Sequence, residues 1–332
     1  MEAPGEKLLI KLWETLAERG IGSLLKPWQI RREGKAIAEV QAESILLIAQ
    51  AEKTAESIRH TQITPEYRVL QLASKGETKV EPKLEDETLI RLATKINYEE
   101  TLRTELNTAK SVLVAEAILA DESGEVSSES INQDWLYRWR EYAGGVSDDE
   151  LQTLWGALLA GEIKSPGAFS LRTLEFIRNL SPHEAKQIEK LMQFVIDHYI
   201  YKGKTDYGNK SILLDAFGLK FSELLTLQSL GVISGVEGSG GLCVSHTGEG
   251  NGLLMISSKT HALTIIFKDS QTEVSVPCYV LTNLGIQLHS LCITESNQDH
   301  LKMLEADIRN QGFEVHLSKI EKHGDIVVYK PV

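Results

Sequence analysis

Cysteine is scarce in this sequence: Cys243, Cys278 and Cys292 are the only three among 332 residues. Thiols so few and so scattered exclude a disulfide framework. Nowhere does the chain approach the run of about 18 uncharged apolar residues that a membrane-spanning helix needs. The opening MEAPGEKLLIKLW has neither the cationic nor the apolar region of a secretory signal. A reducing, cytoplasmic location without transmembrane insertion is the expectation. Basic residues are outnumbered, 35 Lys and Arg against 47 Asp and Glu for a formal charge of -12, which argues against a broad nonspecific grip on nucleic acid. Protein is the expected partner. Also missing are GxGxxG, GxxxxGK[ST] and HExxH, and with them the common nucleotide-binding and zinc-protease motifs.

What is present is enough apolar material, 42% of residues, for more than one small core. Residues 6–19 place Leu8, Leu9, Leu12, Trp13 and Leu16 on one helical face. From Arg31 to Arg59 an Ala- and Glu-rich stretch carries Ile37, Val40, Ser44, Leu47, Ala51, Thr54 and Ile58 at three-four spacing. That pattern predicts one long helix with a thin seam of the coiled-coil kind. Such a seam buries little per turn and calls for a partner, so residues 1–60 are assigned to self-association. Pro65, Gly76 and Pro82 mark 61–86 as a linker.

Residues 87–205 read as a compact helical core. Trp135, Trp139 and Trp155 are its expected anchors. Ser147 with Glu150 forms a predicted capping box, Pro166-Gly167 a turn, and Ser181-Pro182 with Glu184 a second box for a helix predicted to run through Phe194 and Ile196. The stretch SDDELQTLWGALLAGEIKSPGAFSLRTLEFIRNLSPHEA resembles the helical core of an uncharacterised bacterial family related to the abortive-infection alpha proteins. The resemblance spans residues 20 to 235 and is most specific from 147 to 182. It implies a role in phage defence, with a phage protein or other protein as trigger, and assigns no catalytic residue.

The remainder has a different pattern. Residues 206–298 read as helix, turn, helix and then strands around a Gly-rich hairpin, a winged-helix-like order, and 299–332 as a small helix-strand-strand unit with Val315, Leu317, Ile326 and Val328 facing inward. The fold class is thus α+β, mainly helical over the first two thirds. The candidate recognition helix FSELLTLQSL is preceded by only Lys220 and offers Ser222, Glu223, Thr226, Gln228 and Ser229, a poor set for reading DNA.

Two chemical sites are conceivable. Cys243 and His246 have the two-residue gap of a zinc half-site, to be completed by His261, Cys278, His289 or Cys292, with Glu249 as an adjoining acid. The plain alternatives are a glycine-rich hairpin, and thiols buried as ordinary apolar groups in a strand (Cys278) and a helix (Cys292). Separately, Asp197, His198, Lys202 and Lys204 offer the acid, base and cations of a metal-independent ribonuclease acting on RNA. Against that stands His198 at a helix end, complementing the dipole, with His183 on a solvated first turn. Three functions follow: a self-associating defence protein triggered by protein contact, a defence ribonuclease with a zinc-stabilised C-terminal site, and a winged-helix DNA-binding regulator.

Overall fold

The computed structural model describes residues 5–18, 53, 86–122, 126–203, 211–238, 241–245, 251–268, 273–323 and 326–331. The expected long helix at 31–59 and the linker at 61–86 lie almost wholly outside the described residues. The fold is α+β, and the chain divides into two units, Met1–Leu171 and Arg172–Val332.

The first unit is helical: α1 (Glu6–Glu18), α2 (Asp86–Ala120), α3 (Gln133–Gly144) and α4 (Asp149–Lys164). The C-terminal half of α2 buries Leu106, Ala109, Val112, Ala115 and Leu119, a stripe at helical spacing. Helix α4 lies along it at very short range, because Gly156 stands where a Cβ would come within 2.5 Å of the Val114 Cβ and 2.8 Å of the Ser111 carbonyl oxygen. Beside this contact two buried amides, Asn107 of α2 and Gln152 of α4, satisfy each other and the chain between α3 and α4. Asn107 Nδ2 donates to the Gly144 carbonyl at 2.9 Å, and Gln152 Nε2 donates to Asn107 Oδ1 and the Val146 carbonyl, both at 3.0 Å. Helix α3, capped by Asn132, contributes Trp135 and Trp139, and the Trp139 indole N–H donates to the Trp155 carbonyl at 2.8 Å. Trp155 is fully buried and meets Tyr142 edge-on. The three tryptophans are therefore core anchors, as their large apolar rings predict.

The cap of α4 sits one residue later than expected. Asp148 Oδ1 accepts the Leu151 N–H at 3.0 Å, while the Ser147 hydroxyl is engaged by Asn107. A carboxylate is the stronger acceptor at a helix N-terminus, where the dipole favours negative charge. The Pro166-Gly167 turn is held from within the unit: the buried Glu162 accepts N–H bonds from Gly167 at 2.7 Å and Phe169 at 3.1 Å, with Gly167 at φ 84°. Burial pushes the Glu162 carboxyl up, against these hydrogen bonds and the Lys11 ammonium.

The second unit contains α5 (Leu171–Arg178), α6 (Pro182–Met192), α7 (Ile212–Ala216), α8 (Phe221–Ser229), α9 (Asn283–Leu291) and α10 (Gln298–Asn310) around two antiparallel sheets. The box of Ser181 and Glu184 caps α6 as expected, but the helix stops at Met192. Val195 and Ile196 form β1, paired with β2 (Tyr199–Tyr201), since β-branched side chains pack better on a pleated sheet than in a further helical turn. Strand β7 (Glu273–Leu281) then pairs with β2, β3 (Ile233–Ser234) and β4 (Gly241–Ser245). With α7 and α8 preceding β3, this is the winged-helix-like order.

The strands between β4 and β7 leave that sheet. β5 (Gly252–Ser257) and β6 (His261–Phe267) join β8 (Glu314–His323) and β9 (Ile326–Pro331) in the order β5-β6-β8-β9. Residues expected as a separate unit at 299–332 thus complete a sheet begun fifty residues earlier. Its inner face, with Leu263, Ile265, Phe267, Val315 and Leu317, packs with Leu301, Leu304 and Ile308 of α10. Val328 is half-buried, and the Ile326 side chain is outside the described set.

Replacing Trp155 by Ala is expected to cost roughly 3–5 kcal/mol. Thermal unfolding followed by circular dichroism measures it, and an unchanged midpoint would refute the anchoring role.

Candidate functional site

The acid-base set of the sequence is taken apart by the β1–β2 hairpin. Asp197 and His198 form its turn rather than a helix end, and Asp197 has φ 51°, a left-handed conformation that a short polar side chain tolerates. Its carboxylate is committed to structure: Oδ1 accepts from the Ser257 N–H and hydroxyl, both at 3.1 Å, and the Asp197 N–H donates to the Ser257 carbonyl at 2.6 Å. This clamp ties the hairpin to the end of β5. His198 is exposed at the tip. Lys202 lies four residues on, about 13 Å along an extended strand. It is buried, donates to the Gly238 carbonyl at 3.0 Å, and sits over the Tyr279 ring at 5.3 Å. Burial pushes the Lys202 ammonium down. These three groups do not converge on one ribose, and Lys204 is outside the described residues.

The zinc set fares differently by residue. The Cys243 backbone is in β4 opposite Ser275, whereas its side chain, His246 and Glu249 lie outside the described residues. Cys278 is buried on β7 among apolar side chains. His261 opens β6, largely buried, with Nδ1 2.9 Å from the Thr260 hydroxyl. Cys292 caps the C-terminus of α9, half-buried, and is not a helical residue. Among the described residues no three His, Cys, Asp or Glu side chains are grouped to hold a metal ion.

Three further surface features come with the fold. The first is the N-terminal half of α2, where Ile90, Ile96 and Tyr98 are 65%, 51% and 57% exposed while the same helix is deeply buried beyond Leu106. The second is the outward face of α8. The Thr226 and Ser229 hydroxyls there donate to the helix's own carbonyls of Ser222 and Thr226, and Glu223 pairs with Lys190 at 3.4 Å. The third is a concavity of about 430 Å³ lined by Lys268, Arg309, Phe313, Glu314 and His316. Its charges already answer one another: Glu314 meets Lys268 at 3.5 Å and His316 at 3.3 Å, and Arg309 meets Glu305 at 2.6 Å. The hydrogen bonds from His316 and Lys268 hold the Glu314 carboxyl below its usual range.

Among the described residues no helix is long and apolar enough to cross a membrane. His183, expected on a solvated turn, is exposed on α6 beside Gln187.

Asp197→Ala removes two hydrogen bonds to a charged acceptor and places a poorly suited residue at positive φ. The expected loss is about 2–4 kcal/mol. Urea denaturation checks it; a midpoint equal to the parent's would show that the clamp adds nothing.

Comparison with known proteins adds a family and no activity. No curated protein and no solved structure matches the chain. A family model described as "Protein of unknown function (DUF2806)" matches residues 101–305, from the middle of α2 into α10 and so across both units. That is more than half of the sequence, and the chain belongs to this family.

Proposed function

We propose that this chain is a bacterial phage-defence protein of the abortive-infection kind, working in the cytoplasm, which self-associates and responds to infection through contact with another protein, foremost a phage product. The observation that carries the contact reading is the exposed apolar half of α2. Several large apolar side chains left exposed along one stretch of helix favour a contact role for that stretch. The seam of residues 31–59, on the same side of the core in sequence, supports self-association as the first use of such a surface.

The winged-helix-like part also favours protein over DNA as partner. A recognition helix needs free donors and cations to read base edges, and α8 offers hydroxyls bonded to its own backbone. The strands that follow the Gly-rich segment, β5 and β6, belong to the β5-β6-β8-β9 sheet. The resemblance of residues 147–182 to abortive-infection proteins supplies the defence setting.

Light scattering on the purified chain should give a mass above the monomer. Ile90→Asp with Ile96→Asp should lower it without lowering the unfolding midpoint, since both sites are exposed. The same variant should lose protection in cells challenged with phage. A strict monomer at tens of micromolar sinks self-association. Protection that survives in a monomeric variant sinks the contact role of α2, and RNA cleavage by the parent protein would move the assignment to an effector nuclease.

A further inference from the structure

Residues 292–297 join α9 to α10 without regular structure and cross the end of α6 and the β5–β6 turn. Few bonds hold this strap. The Ser296 N–H donates to the Thr260 hydroxyl at 3.4 Å, and Asn297 donates its N–H to the Gln193 carbonyl at 2.8 Å and its amide to Gln193 Oε1 at 3.4 Å. Ile293 within it is 90% exposed. An imidazole pins each end. His289, in the last turn of α9, has its Nε2 buried with no hydrogen-bond partner.

At the other end His300, in the first turn of α10, is wholly buried between Phe194, Tyr201 and Phe217, with ring centroids 5.1, 5.7 and 6.3 Å away. Its Nε2 lies 2.8 Å from the Tyr201 carbonyl oxygen. A carbonyl only accepts, so Nε2 carries the proton and Nδ1 is a bare lone pair, buried and without a partner. A second proton on Nδ1 would be an unpaired charge in an apolar cage, beside the positive end of a helix dipole.

We propose that the 292–297 strap is a proton-operated latch: it is docked while His289 and His300 are neutral, and it lifts when they take up protons, baring the aromatic cage of Phe194, Tyr201 and Phe217.

The surrounding charges include one opposing contact: burial and the Lys319 ammonium push His261 of β6 down, while Glu295 of the strap pulls it back up and Lys302 adds to the lowering. Burial pushes His289 down to about 4, reinforced by the Lys259 ammonium on the β5–β6 turn and by His198 on the β1–β2 turn. Burial pushes His300 down to about 4 as well, against the opposing effect of its bond to Tyr201. Glu189 of α6 faces the Cys292 thiol, which burial keeps protonated in spite of Lys259. The Tyr201 phenol beside His300 is pushed well up by burial, with Asp307 and the Cys278 thiol adding to it. The sign follows from proton counts. Between the ordinary histidine value of 6.5 and the docked value of about 4, the lifted strap binds more protons. Docking is therefore complete above pH 6.5 and weakens as pH falls toward 4.

From pH 7.5 to pH 5.0 each imidazole should raise the opening constant about 30-fold, and the pair about 1000-fold. Amide hydrogen exchange of residues 293–301, corrected for intrinsic chemistry, reads it against the β6 amides of Leu263 and Ile265 as internal reference. The strap should accelerate and the reference should not. His300→Gln keeps a donor for the Tyr201 carbonyl but has no titrating nitrogen, so the response should fall to about 30-fold. Strap and β6 amides accelerating together would mean global unfolding and would overturn the latch, as would no acceleration. Should the variant fail to fold, nuclear magnetic resonance titration of the imidazoles in the parent chain decides instead: depressed values sustain the latch, and ordinary values near 6.5 end it.

Discussion

Strand β7 is the constraint on which the second unit rests. Its nine residues supply the pairing partner for β2, β3 and β4, so three short strands with few bonds of their own are ordered by one. Two-residue strands such as β3 have no independent stability. Once β7 is in place, its alternation buries Val274, Val276 and Cys278 on one face and Tyr279 and Leu281 on the other, and the same strand hands the chain to α9 through the Thr282 cap. The position of β2 against β7 then decides the surroundings of Asp197, Lys202 and the Tyr201 carbonyl.

The helical unit depends on a contact of a different kind. At Gly156 the backbone of α4 comes so near α2 that any side chain would collide with Val114 and Ser111. Close approach lets Asn107 and Gln152 satisfy each other and the α3–α4 loop, which leaves the tryptophans to fill the remaining volume. A buried carboxylate, Glu162, then fixes the Pro-Gly turn. Buried polar groups of this sort confer a single arrangement only because each has its partners.

Much of the helical part was legible. The burial of Trp135, Trp139 and Trp155 and the Ser181 cap follow from local rules that neighbouring residues suffice to apply. Asp148 was missed as the cap of α4 because Ser147 and Asp148 are both good capping residues, and the choice fell to Asn107, forty residues away, which engages the serine. The end of α6 was missed because Phe194 and Ile196 continue a helical apolar pattern; what stops the helix is the pairing of β1 with β2 and, through it, with β7. For the chemical candidates the failure was of the same origin. Asp197, His198 and Lys202 are near in sequence, but a hairpin turn and a strand's alternation send them to a clamp, to solvent and to the core.

The sequence by itself determined much of the composition of each element: that the first part is mainly helical, that Ser181 caps one of its helices, that most strands gather after residue 230, and that acidic charge predominates. Those properties depend on residues within a few positions of one another. Tertiary structure alone decided that β5 and β6 leave the winged-helix-like sheet for one completed by β8 and β9. It also decided that His300 loses all contact with water and that half of α2 stays exposed. The reason is physical: strand partnership and burial are set by surfaces that meet across fifty or a hundred residues, and a chain's local pattern carries the preference for a surface but not the identity of the one it meets.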